Sequence, residues 1–126
     1  MRTLFGIIFL VSSAYCDNPF TVVFRPHVSF CECETGVNVA LVGRFFQNKE
    51  FSNDACLRCF FKCLLQKMEF LRYDGTISVA DIILKLEISE EPILHCVSQV
   101  QNETDLCIKA FLFLKCLLTD IEICIR

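Results

Sequence analysis

The chain has 126 residues, the length of a single domain, with 15 acidic against 12 basic side chains and ten cysteines. An acidic balance is a poor basis for binding a polyanion, so nucleic-acid recognition is set aside. More than half of the residues are hydrophobic, with 13 phenylalanines and no tryptophan.

Residues 1–16 read as a secretory signal peptide. Arg2 supplies the positive start, Leu4 to Val11 the apolar run, and Ser12 to Cys16 a small-residue exit in which Ala14 and Cys16 flank Tyr15. The run is too short to span a bilayer, and no later stretch is long and free of charge. The expected division is a leader over 1–16 and one domain over 17–126, secreted into extracellular fluid. Removing the leader leaves eleven basic and fifteen acidic residues, a net charge of −4, and nine cysteines. In an oxidising compartment that count reads as a disulfide framework, and the odd number leaves at least one thiol free or paired with another molecule. Cys31-x-Cys33 and Cys56-x-x-Cys59 also have zinc-ligand spacing, but export argues against a metal. A domain this small cannot bury all of its apolar side chains. The expectation is that some line a cavity or meet a partner; the plainer alternative is an ordinary filled core.

Along the chain, Pro26 ends or kinks the N-terminal segment, and Gly36 separates the Cys31 region from a short apolar stretch, Val39 to Phe46. Asp54 to about Phe70 is rich in helix formers without glycine or proline. Asp74-Gly75 marks a turn. Ser78 and Asp81 have the spacing of a capping box opening a helix to about Ile88. Ser89-Glu90-Glu91-Pro92 starts the next helix, with the proline in its first turn. Asn102-Glu103-Thr104 breaks the pattern and is a glycosylation sequon at Asn102. A last helix runs from about Asp105 to Leu118. Five or six short helices with weak strand signals make an all-α bundle.

Helical geometry assigns the faces. Cys59 and Cys63 lie about 40° apart on one face, with Phe61, Leu65 and Met68 opposite. Cys107 and Cys116 differ by about two and a half turns, so they reach different neighbours. Leu106, Ala110, Phe113 and Leu117 form one stripe of the last helix and Phe111, Leu114 and Leu118 another, the pattern of a central buried helix. Val79, Ile82, Ile83 and Leu86 give a third stripe. Each stripe is explained by core packing alone.

Cys31, the pair Cys59-x3-Cys63, then Cys96, and the pair Cys107-x8-Cys116 together resemble the insect odorant-binding proteins, the pheromone- and general-odorant-binding group. Local words agree over about Phe30 to Leu118: Glu34-Thr35-Gly36-Val37 after the first cysteine, which favours Cys31 over Cys33, and Cys59-Phe60-Phe61-Lys62-Cys63 running through Met68 into Asp74-Gly75-Thr76-Ile77. The resemblance implies a compact bundle of about six helices around an apolar cavity. It implies the pairing Cys31–Cys63, Cys59–Cys107 and Cys96–Cys116, which is compatible with Cys107 and Cys116 facing opposite ways. Cys33, Cys56 and Cys124 depart from the pattern. The expectation for them is one extra bridge from Cys124 to Cys33 or Cys56, with one thiol left free.

The function this implies is carriage of small hydrophobic molecules (odorants, pheromones or similar lipophiles), without a cofactor, a metal or stable membrane insertion. Contact with a chemoreceptor or a second copy of the chain stays open. The expected wall residues are Phe61, Leu65, Met68, Phe70, Tyr73, Ile83, Leu94, Val97, Phe113 and Leu117, with the Tyr73 hydroxyl as the polar handle. The tail from Leu117 to Arg126 is a candidate lid, and His27 or His95 a candidate for charge gain near neutral pH. Neither histidine has the spacing of a triad or metal site, and the helical His-Asp pair and calcium loop of a secreted phospholipase are missing, so no enzyme is expected. The rival reading is a saposin-like protein engaging a protein or membrane through exposed apolar surface, though the cysteine spacings differ from that class.

Overall fold

The computed structural model describes residues 19–120. The expected leader over 1–16, the expected start of the mature domain, the tail beyond residue 120 and Cys124 lie outside the described residues. Six helices follow in order: α1 (Pro19–Thr35), α2 (Val39–Asn48), α3 (Ala55–Lys67), α4 (Val79–Leu86), α5 (Glu90–Val100) and α6 (Leu106–Asp120). No strand occurs among the described residues; the nearest approach is an isolated antiparallel bridge between Leu71 and Ile77. The fold is an all-α bundle.

Pro26 neither ends α1 nor stands at its edge but lies inside it. Proline lacks the N–H that would reach the Val22 carbonyl, and Val22 is 56% exposed, so water can solvate that turn. Gly36 stops the helix: its φ of 67° is left-handed, and its N–H donates to the Glu32 carbonyl at 3.0 Å. The next two helices begin on side-chain caps. Asn38 Oδ1 accepts the Ala40 N–H and Asp54 Oδ1 accepts the Leu57 N–H, both at 2.9 Å. Asp105 caps α6 in the same way, accepting from Cys107 at 2.9 Å and Ile108 at 3.1 Å.

The capping box expected at Ser78 does not form. Ser78 does precede α4, but its hydroxyl donates to Asp81 Oδ2 at 2.6 Å instead of accepting a backbone N–H. Its own N–H, which a box would give to the acidic side chain, is already donated to the Phe70 carbonyl at 2.8 Å. Tertiary structure has claimed the donor on which the local motif depends.

At its far end α4 stops on Glu87, a non-glycine residue at φ 55°, ψ 46°. That conformation costs an L-residue about 1–2 kcal/mol, and a carboxylate at a helix C-terminus adds an unfavourable dipole interaction. Glu87→Gly is expected to stabilise the fold by up to about 1 kcal/mol, because part of the relief is offset by the greater freedom of glycine in the unfolded chain. A thermal melt checks this; no rise in Tm overturns the strain argument.

Packing centres on α3. It lies against α6 most extensively and against α1 next, while α6 also carries α5. The reason is its apolar face: Leu57, Phe60, Phe61, Leu64 and Leu65 are all 1% exposed or less. The nearly all-round apolar α6 buries Ala110, Phe111, Phe113, Leu114, Leu117 and Leu118, as expected of a central helix. Three disulfides pin the same contacts: Cys31–Cys63 joins α1 to α3, Cys59–Cys107 joins α3 to α6, and Cys96–Cys116 joins α5 to α6. Cys33 and Cys56 are free and exposed.

Candidate functional site

The bundle interior holds a cluster of aromatic rings that come from four parts of the chain. Phe45 of α2 meets Phe61 of α3 edge-on at 4.7 Å between centroids, and Phe51, from the loop joining those helices, lies 5.1 Å from Phe45 and 5.5 Å from Phe61. Phe111 of α6 closes the group at 5.7 Å from Phe51 and 6.0 Å from Phe61. Edge-to-face and tilted contacts at these separations are the favourable arrangements for aromatic pairs. A second, smaller contact pairs Phe24 of α1 with Phe70 at 6.1 Å. These rings are polarisable and apolar and carry no hydrogen-bonding groups, so apolar contact is the chemistry they can offer.

Two ammonium groups border this apolar region, that of Lys115 standing 5.9 Å from the Phe111 ring centre. The Lys85 ammonium, on α4, donates to the Met68 carbonyl at 2.8 Å, stands 5.9 Å from the Phe70 ring centre and pairs with Glu69 at 3.8 Å. Its side chain is one-third exposed, so the stem covers apolar surface while the charge stays hydrated.

Among the sequence-derived wall residues, Phe61, Leu65, Met68, Phe70, Phe113 and Leu117 are all buried. Ile83 and Val97 are half-buried and pack against the core. The other two are not brought inside. Tyr73 is 82% exposed, at the tip of the turn closed by the Leu71–Ile77 bridge, where only the flanking apolar residues point inward. The Thr76 N–H donates to Asp74 in that turn, which together with a bond from the Thr76 side chain holds the Asp74 carboxyl below the usual carboxylate range. Leu94 is 47% exposed because α5 turns Ile93, Cys96 and Val100 inward, leaving their neighbour at about 100° outside that face. The interior polar role expected of Tyr73 is therefore not available to it, and Lys85 is the polar group placed near Met68 and Phe70.

Sequence reasoning did not bring Phe45, Phe51 and Phe111 together with Phe61 as one group of rings. Two carried a signal: Phe45 stood in the apolar stretch Val39 to Phe46, and Phe111 in the second stripe of the last helix. Phe51 carried none, since it belongs to an irregular loop without periodicity.

The model of the PBP/GOBP family matches residues 18–120. The chain belongs to this family, the insect pheromone- and general-odorant-binding proteins. No match to a curated protein or to a solved structure was found. The PBP/GOBP family is one of secreted binding proteins and carriers, not of enzymes. Its three-bridge arrangement is the one the cysteine spacing resembles, and the bridges in this chain join the same three pairs.

Outside this interior, on the disulfide side of α3, lies a groove of about 560 Å³ open to solvent. Tyr73 lines it together with Phe30 and Glu34 of α1 and with Cys56, Lys62 and Lys67 of α3. The face opposite the ring cluster is thus concave as well as stapled.

Proposed function

We propose that this chain is a secreted carrier that holds one small hydrophobic molecule within the ring cluster of the bundle and transports it through extracellular fluid. The observation that supports the reading is the convergence of Phe45, Phe51, Phe61 and Phe111 from α2, the following loop, α3 and α6. Several elements must move together to admit a ligand, so the site is adaptable in volume while the three bridges keep the fold fixed. Burying roughly 300 Å² of apolar ligand surface contributes about 7 kcal/mol before losses, which sets affinity in the micromolar range or weaker.

A fluorescent apolar probe such as N-phenyl-1-naphthylamine is expected to bind saturably, at one site per chain, and to be displaced by volatile or lipid-derived compounds. With no tryptophan in the chain, the extrinsic probe is the appropriate reporter. Association with liposomes in the absence of any saturable probe site would sink the carrier reading in favour of an apolar interaction protein. The same reading has the mature chain starting at Asp17 and a glycan on Asn102, which is exposed in the turn between α5 and α6. The intact mass of the secreted protein, before and after glycosidase, tests both.

A further inference from the structure

The outer groove has a chemistry that the interior lacks. We propose that it is a second binding site, for an anionic amphiphile with one apolar chain and one carboxylate-like head, separate from the interior and independent of what the interior carries. Three features of the groove point there. First, at about 560 Å³ it falls in the range of small-molecule sites. Second, its apolar lining is exposed at a cost unless covered: Phe30 is 49% exposed and Tyr73 is 82% exposed, and they line it with Cys59 and Cys63, both in disulfides. Third, its charge is unbalanced toward the cationic. Lys62 and Lys67 both line it against the single carboxylate of Glu34.

The arrangement of Lys67 sharpens the ligand class. Its ammonium sits 4.0 Å from the centre of the Phe30 ring, so aromatic surface and positive charge meet at one point of the wall. A head group paired with that ammonium brings the adjoining chain beside the ring. Lys62, five residues earlier, supplies a second cation to the lining, about 140° from Lys67 around the axis of α3 and on the other side of Cys63 and Gln66. A neutral chain alone leaves both ammonium groups without a partner from the ligand, and a cation is repelled by them. An anionic head with an apolar tail satisfies both parts of the lining.

Cys56 provides an internal reporter. It is a free, exposed thiol in the lining of this groove, whereas Cys33 is a free, exposed thiol on α1 outside the lining. The test is alkylation of the full secreted protein with iodoacetamide, followed peptide by peptide by mass spectrometry, with dodecanoate below its micelle concentration as the probe and dodecanol as the neutral comparison. Dodecanoate at ten times its dissociation constant is expected to slow the labelling of Cys56 by about tenfold while leaving Cys33 unchanged. Dodecanol is expected to do much less, and Lys62→Gln with Lys67→Gln to abolish the protection. Equal slowing of both thiols, equal protection by dodecanol, or protection that survives the double variant overturns the proposal. Binding of the naphthylamine probe is expected to be the same in the double variant, which separates failure of the outer site from failure of the interior carrier reading.

Discussion

Replacing Cys59 and Cys107 together by alanine is expected to cost about 4 kcal/mol, the largest loss among the three bridges. The residues they close differ in separation: 48 for Cys59–Cys107, 32 for Cys31–Cys63 and 20 for Cys96–Cys116. The loop-closure relation for the unfolded chain converts these to about 4.1, 3.7 and 3.3 kcal/mol. A domain of this size has a total stability of about 5–15 kcal/mol, so loss of any one bridge consumes a large share of it. Both partners must be removed in each case. A single replacement leaves a thiol beside its former partner, and around Cys59 the free Cys56 lies three residues away on the same helix and offers a wrong pairing. Denaturant midpoints of the three double-alanine variants are expected to fall in the order of loop length. If the Cys96–Cys116 variant is the least stable, the bridges act through native packing at α5 and α6 and not through the unfolded chain.

What was legible in the sequence follows from which constraints are local. The spacing of Cys59 from Cys63 fixes a helical face without knowledge of the fold, and Phe61, Leu65 and Met68 on the other face are buried accordingly. Cys107 and Cys116, half a turn apart, reach α3 and α5 from the two sides of α6. Helix existence was equally local, since Asp54 to Phe70 is rich in helix formers without glycine or proline; the structure adds the side-chain caps of Asp54 and Asp105 at the helix starts.

The failures were places where a distant part of the chain decides. The Ser78 N–H is spent on Phe70, eight residues back, so the box motif has no donor to use. Tyr73 has the composition of a pocket residue, but the pairing of Leu71 with Ile77 puts it at a turn tip. Leu94 and Ile93 are chemically alike, and only the packing of α5 on α6 chooses between them. Phe51 enters the interior because the loop after α2 folds over Phe45, and no periodicity encodes that. The disulfide spacing therefore identified the scaffold, while the interior aromatic surface depended on the tertiary arrangement of side chains that no spacing rule covers.

Phe61→Ala tests that surface directly. Phe61 is fully buried and touches the rings of Phe45, Phe51, Phe60 and Phe111. Removing a ring from such a setting is expected to cost about 3–5 kcal/mol, the sum of lost apolar transfer and the void left behind. The neighbouring rings come from different elements and relax only partly into the space. The exposed Phe30 serves as the comparison: Phe30→Ala changes a surface ring and is expected to shift stability by less than about 1 kcal/mol. An apolar void of this kind stays dry and binds apolar molecules of matching size. Saturating naphthylamine probe is therefore expected to raise the Tm of Phe61→Ala by more than it raises that of the parent protein, since the ligand fills space that the variant leaves empty. A small loss of stability with an unchanged ligand effect would mean that the ring cluster already surrounds open volume, and that Phe61 borders the cavity without filling it.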